Sequence, residues 1–233
     1  YREYTTHIHS SGRHLLSIIS DILDLSKVEA GKLQFEMAPV SLDAVISQAV
    51  VIVRASGESS GARIEVDDLS KLPGLLASKQ RLLPIFVNLL SNAVKFTPEG
   101  GRVRVRAVAK ADEVIISVID NDIGMTAAEV EQAMLLFTQV DSSLERRFEG
   151  TGLGLPLAKL LVEGHGGALQ IESESGPRTD VIVRLPVIGR IEAYCIWTRD
   201  NRAGFQFERI IRVDDFLAMI DTLQPNPRLR KLR

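Results

Sequence analysis

Three polar side chains share one face of a predicted helix that is otherwise apolar. Asn88, Asn92 and Lys95 follow one another at intervals of four and three residues, which stacks them on a single helix face. Their neighbours are Ile, Phe, Leu, Ala and Val, so the helix is predicted to be buried and its polar stripe to face something polar. Amide oxygens suit Mg²⁺, and an ammonium group suits phosphate. The alternative is that the amides cap loops while the lysine extends to solvent.

An acidic residue closes a predicted apolar strand further along the chain. Asp120 follows Val-Ile-Ile-Ser-Val-Ile, and Gly124 comes shortly after it. A carboxylate in this place can accept a hydrogen bond from an exocyclic amine such as that of adenine. A glycine lets a ring approach the backbone. The alternative is a simple turn, because Asp and Asn favour strand ends.

A glycine-rich segment, Gly150-Thr-Gly-Leu-Gly-Leu155, leads into a predicted helix over 154–164. Backbone N–H groups at a helix N-terminus bind phosphate. A polar stretch rather than a strand precedes the glycines, which argues against a dinucleotide site, and no Lys-Ser/Thr pair follows, which argues against a Walker loop. Taken together, the three segments predict a site for a nucleotide and its metal ion.

Composition sets the broad class of protein. The chain has 233 residues, of which 45% are hydrophobic and 25% are charged, as is typical of soluble globular proteins. The formal net charge of −2 provides no general basic field for nucleic acid. The single cysteine, Cys195, cannot form an internal disulfide, which favours a cytoplasmic location. The sequence contains no apolar run of the roughly 18 residues that a membrane span needs.

The order of predicted elements indicates an α+β fold preceded by a long helix. Residues 3–32 are predicted to form an amphipathic helix whose heptad-spaced apolar stripe must pair with another helix, in a bundle or a dimer. Residues 38–187 mix helices with strands joined by hairpins, which predicts a two-layer α/β sandwich with helices on one sheet face. Residues 188–233 form a separate extension, with a predicted hairpin, a helix over 214–223 and a basic tail.

The order of these motifs resembles the ATP-binding catalytic domain of bacterial sensor histidine kinases. That Bergerat-type domain belongs to the superfamily shared by gyrase, heat-shock chaperone and mismatch-repair ATPases. The resemblance covers about residues 38–186, and residues 14–31 resemble the second helix of the dimerisation and phosphoacceptor module. It implies ATP and Mg²⁺ as cofactors, a homodimer formed through helix 3–32, and a response-regulator receiver domain as partner. It also implies a cytoplasmic catalytic part of a protein that can be membrane-anchored upstream.

The resemblance also implies a role for each matching residue. Asn92, helped by Asn88, would coordinate Mg²⁺, and Lys95 would contact phosphate. Asp120 would accept a hydrogen bond from the adenine amine, and Gly124 would lie beside the ring.

Further residues are implied in the lid and in the last motif, which runs from Gly176 through Pro186. Phe137 would anchor the lid that begins after Met125, and Thr179 would lie near the adenine. The phosphate-facing end of the lid would be shaped by Gly150, Thr151, Gly152, Leu153 and Gly154. Arg146 and Arg147 are candidate phosphate contacts, with a solvated loop face as the alternative.

The sequence departs from the family pattern most clearly in its histidines. The family's phosphate acceptor is a histidine followed by an acidic residue, and none of His7, His9, His14 and His165 fits this pattern. Packing is the better interpretation of each. We therefore expect ATP binding without self-phosphorylation by this chain alone.

Other departures affect the site itself. Asp122 stands where the family usually has glycine, which predicts weaker nucleotide binding through like-charge repulsion. Ser78 replaces a common Asp, Pro84 lies deep in its helix, and the segment 175–179 lacks the usual second glycine. Residues 197–208 weakly resemble part of a PilZ domain without its ligand-binding elements, so a packing hairpin is predicted rather than a cyclic di-GMP site.

The sequence leaves two candidate functions from different classes. The favoured one is the ATP–Mg²⁺-binding part of a two-component sensor histidine kinase, which transfers a phosphoryl group to a histidine outside this chain. The alternative is a degenerate, non-catalytic kinase-like module that binds a partner such as a receiver domain. A chaperone-type ATPase fits poorly, because the heptad helix directly upstream is a kinase feature.

Overall fold

Strands and helices are interspersed from residue 38 to residue 186. The computed structural model describes residues 4, 12, 15, 16, 19, 20, 22–27, 32–55, 61–110, 112–121, 124–138, 151–173 and 178–187, and the backbone of 193–199 and 202–207. The strands are β1 (Ala38–Val40), β2 (Arg63–Val66), β3 (Leu75–Ala77), β4 (Arg102–Ala109), β5 (Glu113–Asp120), β6 (Ala168–Ser173), β7 (Thr179–Pro186), β8 (Ala193–Arg199) and β9 (Arg202–Phe207). The helices are α1 (Leu42–Ala55), α2 (Lys79–Phe96), α3 (Ala127–Ala133) and α4 (Gly154–Gly164).

The main sheet has five strands in the order β2-β4-β5-β7-β6. Strand β2 runs parallel to β4, and the other neighbours are antiparallel. Strands β1 and β3 form a small sheet that the sequence did not predict, and β8 pairs with β9 in the predicted hairpin. The predicted helix at 214–223 and the basic tail lie outside the described residues.

The two faces of the main sheet differ in polarity. Along β4, Val103 and Val105 are fully buried, whereas Arg102, Arg104 and Arg106 are exposed. Helices α1, α2 and α4 bury their apolar faces in the core that the inner valines enter. Fully buried large side chains of these helices include Leu42, Ile46, Leu82, Phe86, Leu89 and Leu161. Burial of each such side chain contributes about 1.5–3 kcal/mol, so this layer fixes where α2 and α4 lie. The predicted two-layer sandwich is confirmed.

Helix termini follow local sequence signals. Ser41 precedes α1, and its Oγ accepts a hydrogen bond from the N–H of Ala44 at 3.3 Å. Thr126 and Glu129 form the predicted capping box at the start of α3. Helix α2 continues through Pro84 although proline supplies no backbone N–H. Local chemistry therefore sets these helix ends, and the apolar core overrides the proline.

The helix upstream of the domain is described only in part. Residues 22–27 are helical, as predicted, and Leu25 is buried. Asp24 forms an ion pair with Arg81 of α2 at 2.9 Å. Five other apolar side chains of this helix are exposed, namely Leu15, Leu16, Ile19, Ile22 and Leu23. In the part of the chain that the structure describes, no helix is long and apolar enough to cross a bilayer.

A tight turn joins α2 to β4 at the edge of the domain. A Cβ atom on Gly101 would collide with the Thr97 side chain, and would lie 2.9 Å from Oδ1 of Asn121. The same Asn121 oxygen accepts a hydrogen bond from the N–H of Arg102 at 2.6 Å. Because Asn121 directly follows β5, this turn fastens the end of α2 to the end of β5.

A buried histidine connects α4 to the start of α2. His165 is 1% exposed, and its Nδ1 lies 2.7 Å from the carbonyl oxygen of Leu161. Its Nε2 accepts a hydrogen bond from the N–H of Ser78 at 3.2 Å. Since one ring nitrogen donates and the other accepts, the imidazole is neutral. Burial lowers the pKa of His165 below its ordinary value, and the ring of Phe35 packs edge-on against it at 4.8 Å between centroids.

We expect the free energy of unfolding to decrease as the pH falls below about 6.5, the ordinary histidine pKa. The pKa of His165 is lower in the folded state, so the unfolded chain takes up the proton first and acid favours unfolding. One such group contributes a slope of at most about 1.4 kcal/mol per pH unit. Urea unfolding at a series of pH values measures this slope.

The control is His165→Gln, which retains a donor and an acceptor but does not titrate. The variant is expected to be less stable than the wild type near neutral pH, with a difference that shrinks as the pH falls. A difference that stays constant across this range would contradict the assignment of the slope to His165.

Candidate functional site

A buried carboxylate and a buried hydroxyl lie side by side at one end of the sheet. Asp120, the last residue of β5, pairs with Thr179, the first residue of β7. Their exposed fractions are only 5% and 2%. Residues two apart on a strand share a sheet face, so Asp120 lies on the face of the buried Val118 and Thr179 on the face of the buried Val181. Both therefore belong to the sheet face that the helices cover. Two sequence-predicted residues are therefore brought together.

Ser173 completes this end of the site. Its Oγ lies 3.0 Å from Oγ1 of Thr179 and accepts a hydrogen bond from the N–H of Met125 at 2.8 Å. Gly124, the residue before Met125, has a φ of 72°, a conformation that glycine adopts without strain. The Ser173 hydroxyl thus holds the Gly124–Met125 backbone beside Thr179. Sequence reasoning missed Ser173, whose only signal was its place at the end of a strand before the last motif.

The two amides meet the first residue of α4. Nδ2 of Asn88 donates to the carbonyl oxygen of Gly154 at 3.4 Å. A Cβ atom on Gly154 would lie 3.7 Å from the amide carbon of Asn88 and 3.8 Å from Nδ2 of Asn92. Both asparagines are half-buried. Apolar packing of α2 against α4 therefore brings the predicted amide pair to the start of the predicted phosphate-binding helix.

Lys95 lies one turn further along α2. Its Nζ is 5.1 Å from the centroid of the Phe96 ring, within the range of a cation–π contact. The residue is half-buried in the last turn of the helix. The structure thus places Lys95 on the same helix as Asn88 and Asn92, with its ammonium group over an aromatic ring.

The glycine segment packs against the chain that follows α3. Gly152 has a φ of 67°, and a Cβ atom on it would lie 2.7 Å from the carbonyl oxygen of Thr138. Phe137, just before Thr138, also has a positive φ of 58°, and 63% of it is exposed. The N–H of Leu153 donates to Oγ1 of Thr151 at 3.2 Å. The backbone beside the predicted lid anchor, Phe137, is therefore in contact with the glycine segment predicted to shape the phosphate-facing end of the lid.

Several predicted site residues lie outside the described part of the chain. These are Asp122, Arg146, Arg147 and Gly150. Their roles stay predictions from the sequence.

The arrangement has the donors and acceptors that a nucleotide and its metal ion require. Because Asn88 uses its amide N–H toward Gly154, its Oδ1 remains to coordinate a cation such as Mg²⁺. Leu153, at the N-cap of α4, offers no side-chain cap to the first N–H groups of the helix. Such N–H groups attract phosphate. The chemistry of the residues present therefore fits both groups, with a buried carboxylate and hydroxyl at Asp120 and Thr179 and the two amides beside the start of α4.

Together these features define an ATPase domain of the histidine kinase type. Residues 77–188 match the family model for the histidine kinase-, DNA gyrase B-, and HSP90-like ATPases, and this part of the chain belongs to that family.

Curated relatives agree with this assignment. The non-motile and phage-resistance protein of Caulobacter vibrioides is 40% identical over 191 residues, which cover 80% of this chain and 23% of that protein. The circadian input-output histidine kinase CikA of Synechococcus elongatus is 41% identical over 187 residues, covering 79% of this chain and 25% of CikA. The chain thus spans about a quarter of the length of these relatives.

Solved structures give the same answer for the fold. Full-length ShkA in complex with AMPPNP aligns with a TM-score of 0.69 at 30% identity, covering 81% of this chain and 39% of ShkA. The mycobacterial sensor histidine kinase MprB aligns with a TM-score of 0.57 at 28% identity, covering 66% of this chain and all of the matched MprB chain. The α+β kinase-type fold is confirmed.

The contact between Gly152 and Thr138 can be tested with two alanine substitutions. Gly100 has a φ of 77° and nothing within 4 Å of its Cβ position, whereas Gly152 has a similar φ and a backbone oxygen in the way. We expect Gly100→Ala to cost about 1 kcal/mol of unfolding free energy through backbone strain alone. Gly152→Ala is expected to cost about 2–3 kcal/mol, because the Thr138 backbone must also move. Equal losses in urea unfolding would show that the Gly152 contact is not tight.

Proposed function

We propose that this chain is the ATP–Mg²⁺-binding catalytic part of a two-component sensor histidine kinase. In this proposal it transfers the γ-phosphoryl group of ATP to a histidine located outside the chain. The observation that carries the proposal is the buried pair of Asp120 and Thr179 at the end of the sheet, on the face covered by the helix layer whose α2 carries the amides of Asn88 and Asn92. The names of the relatives support it, as does the AMPPNP complex of ShkA, since AMPPNP is an analogue of ATP.

The base end is proposed to recognise adenine. The exocyclic amine would donate to the carboxylate of Asp120, and Gly124 would let the ring lie against the backbone. Ser173 would keep both Thr179 and the Met125 backbone in place through its two short contacts. A buried acceptor discriminates strongly against a base that cannot donate to it, because the acceptor is then left unpaired.

The phosphate end is proposed to hold the triphosphate and its metal ion. Asn92, with Asn88, would coordinate Mg²⁺, and Lys95 would contact phosphate. Backbone N–H groups of the segment around Thr151, Gly152, Leu153 and Gly154 would bind phosphate oxygens, with Gly150 in the same segment and Arg146 and Arg147 as candidate cations. Bound Mg²⁺ would supply charge neutralisation, and the chain would supply positioning, which together account for most of phosphoryl-transfer catalysis.

The remaining parts of the chain are assigned by the same proposal. Residues 1–34 would be a dimerisation helix, residues 38–187 the catalytic domain, and residues 188–233 a C-terminal extension that packs as a hairpin. The exposed apolar side chains of the first segment, from Leu15 to Leu23, support a homodimer through helix 3–32. A receiver domain of a response regulator would be the partner, and the catalytic part would act in the cytoplasm.

Calorimetry with ATP and Mg²⁺ tests the base end. We expect the chain to bind ATP at least about tenfold more tightly than inosine triphosphate, which presents an oxygen where ATP presents the amine, since a hydrogen bond to a charged group contributes about 1.5–3 kcal/mol. Asp120→Asn should lose most of this discrimination. Asp43→Asn, an exposed residue in the first turn of α1, is the matched control and should retain it.

The outcome separates the two functions. Absence of ATP binding by the wild-type chain would favour the degenerate, partner-binding module. Equal affinity for the two triphosphates would show that Asp120 does not recognise the amine.

Phosphotransfer is tested by supplying the acceptor helix in trans. With radiolabelled ATP we expect no label on this chain alone, and label on a separate polypeptide that carries an acceptor histidine helix. Asn92→Ala should reduce the transfer rate at least about tenfold, because the metal would lose a ligand. If ATP binds but label never reaches the acceptor, the domain is a nucleotide-binding module without kinase activity.

A further inference from the structure

A cavity lies on the face of the main sheet that is turned away from the helices. Its volume is about 360 Å³, and Arg102, Arg104, Arg106 and Arg178 line it together with Ile119 and Asn121. Asp120 lies at its rim, where β5 ends. The residues proposed to hold the phosphates of ATP are on α2 and α4, on the other side of the sheet, so this cavity borders the proposed nucleotide site at Asp120 and not at its phosphate end.

The strand pattern explains why the arginines meet. Arg102, Arg104 and Arg106 alternate with buried residues of β4, so all three point to the outer face. The register pairs Val103 with Asp120 and Asp120 with Thr179, which brings the residue before Thr179, Arg178, to the same end of the sheet. Four guanidinium groups from two parts of the chain therefore surround one concave surface.

Two of these arginines already have their own carboxylate partners. Nε of Arg104 donates a hydrogen bond to Oδ1 of Asp67 at 2.9 Å, and Nη2 of Arg104 donates one to Oδ2 of Asp67 at 3.2 Å. Arg102 lies 3.8 Å from Glu65. Both partners belong to the β2 side of the sheet, so the charges of Arg102 and Arg104 are largely matched there.

The other two arginines share a single buried carboxylate. Oδ2 of Asp180 is 4.0 Å from Arg106 and 3.9 Å from Arg178, distances beyond a hydrogen bond. The Asp180 side chain is 7% exposed, whereas those of Arg106 and Arg178 are 51% and 66% exposed. Its Oδ1 has no hydrogen-bond partner among the described residues. Two accessible cations thus converge on one anion that does not use their N–H donors, and the carboxylate of Glu172 on β6 also lies near Asp180.

We propose that this cavity binds a small phosphate-bearing molecule through Arg106 and Arg178. A guanidinium group pairs with phosphate through two parallel hydrogen bonds, and two of them at one point suit a dianion. The volume lies in the range of roughly 300–1,000 Å³ that is usual for small-molecule sites. Ile119 offers an apolar surface to the rest of the ligand.

A compact anion fits this surface better than an acidic protein segment. The carboxylates of Glu65 and Asp67 flank the cavity on the β2 side, where an extended acidic chain would meet like charges. A small phosphate ester can reach Arg106 and Arg178 without approaching the carboxylates of Glu65 and Asp67. Asp180 acts here as a positioning residue, because it draws the two guanidinium groups together from beneath.

The test is calorimetry with pyrophosphate as the probe, at low salt and without Mg²⁺ or nucleotide, which would bind the probe or compete with it. We expect the double variant Arg106→Ala/Arg178→Ala to bind pyrophosphate at least about tenfold more weakly than the wild-type chain. Arg184→Ala is the matched control and should bind like the wild type. Arg184 lies on the same sheet face but outside the cavity, where it pairs with Glu113 at 3.4 Å.

Unchanged affinity in the double variant would overturn the proposal. So would binding of a poly-glutamate peptide through these arginines without binding of pyrophosphate, because the surface would then be a protein-docking face. Urea unfolding verifies that the double variant folds. If it does not fold, the single variant Arg178→Gln, at the more exposed position, is used in its place. ATP affinity is measured in a separate titration, so a failure of the proposed kinase function and a failure of this site are distinguishable.

Discussion

The antiparallel register between β5 and β7 is the constraint on which the rest of the structure depends. It sets Asp120 opposite Thr179 on the inner face of the sheet and Ile119 opposite Asp180 on the outer face. Because side chains alternate along a strand, a slip of one residue would exchange the two faces. The proposed nucleotide site and the arginine cavity would then both be lost. The apolar inner residues Val118, Val181 and Val183 favour this register, since a slip would take them out of the core beneath the helices.

Packing of α2 against α4 contributes the other half of the site. The apolar residues of both helices face the same core, so the polar stripe of α2 is left at the edge of their contact, beside Gly154. His165 bridges the far end of α4 to the start of α2 through Ser78. The amide groups are thus oriented by a layer of ordinary hydrophobic packing and by one buried polar bridge.

Local features of the fold could be predicted from the sequence, whereas contacts between distant segments could not. Helix α2, the capping box at Thr126 and the hairpin of β4 and β5 follow from short-range periodicity and turn chemistry. Strands β1 and β3 have only three residues each, too few for a periodic signal. The contacts of Ser173 with Thr179 and of Gly152 with Thr138 depend on pairing and loop closure that no local pattern encodes. The arginines of β4 are visible in the sequence, but their convergence with Arg178 on Asp180 requires the register of three strands.

The turn at Gly101 has a consequence for how the chain can vary in length. It fastens the end of α2, which carries the amides, to the end of β5, which carries the carboxylate. An inserted residue between Thr97 and Arg102 would separate the two halves of the site, so this connection is intolerant of insertions. The turn at the other end of β4, where the N–H of Lys110 bonds to the carbonyl oxygen of Glu113, joins β4 to β5. This turn carries no residue of either half of the site, so it can lengthen without separating them. Insertions and deletions in this family are therefore expected to accumulate at the turn that is remote from the proposed nucleotide site.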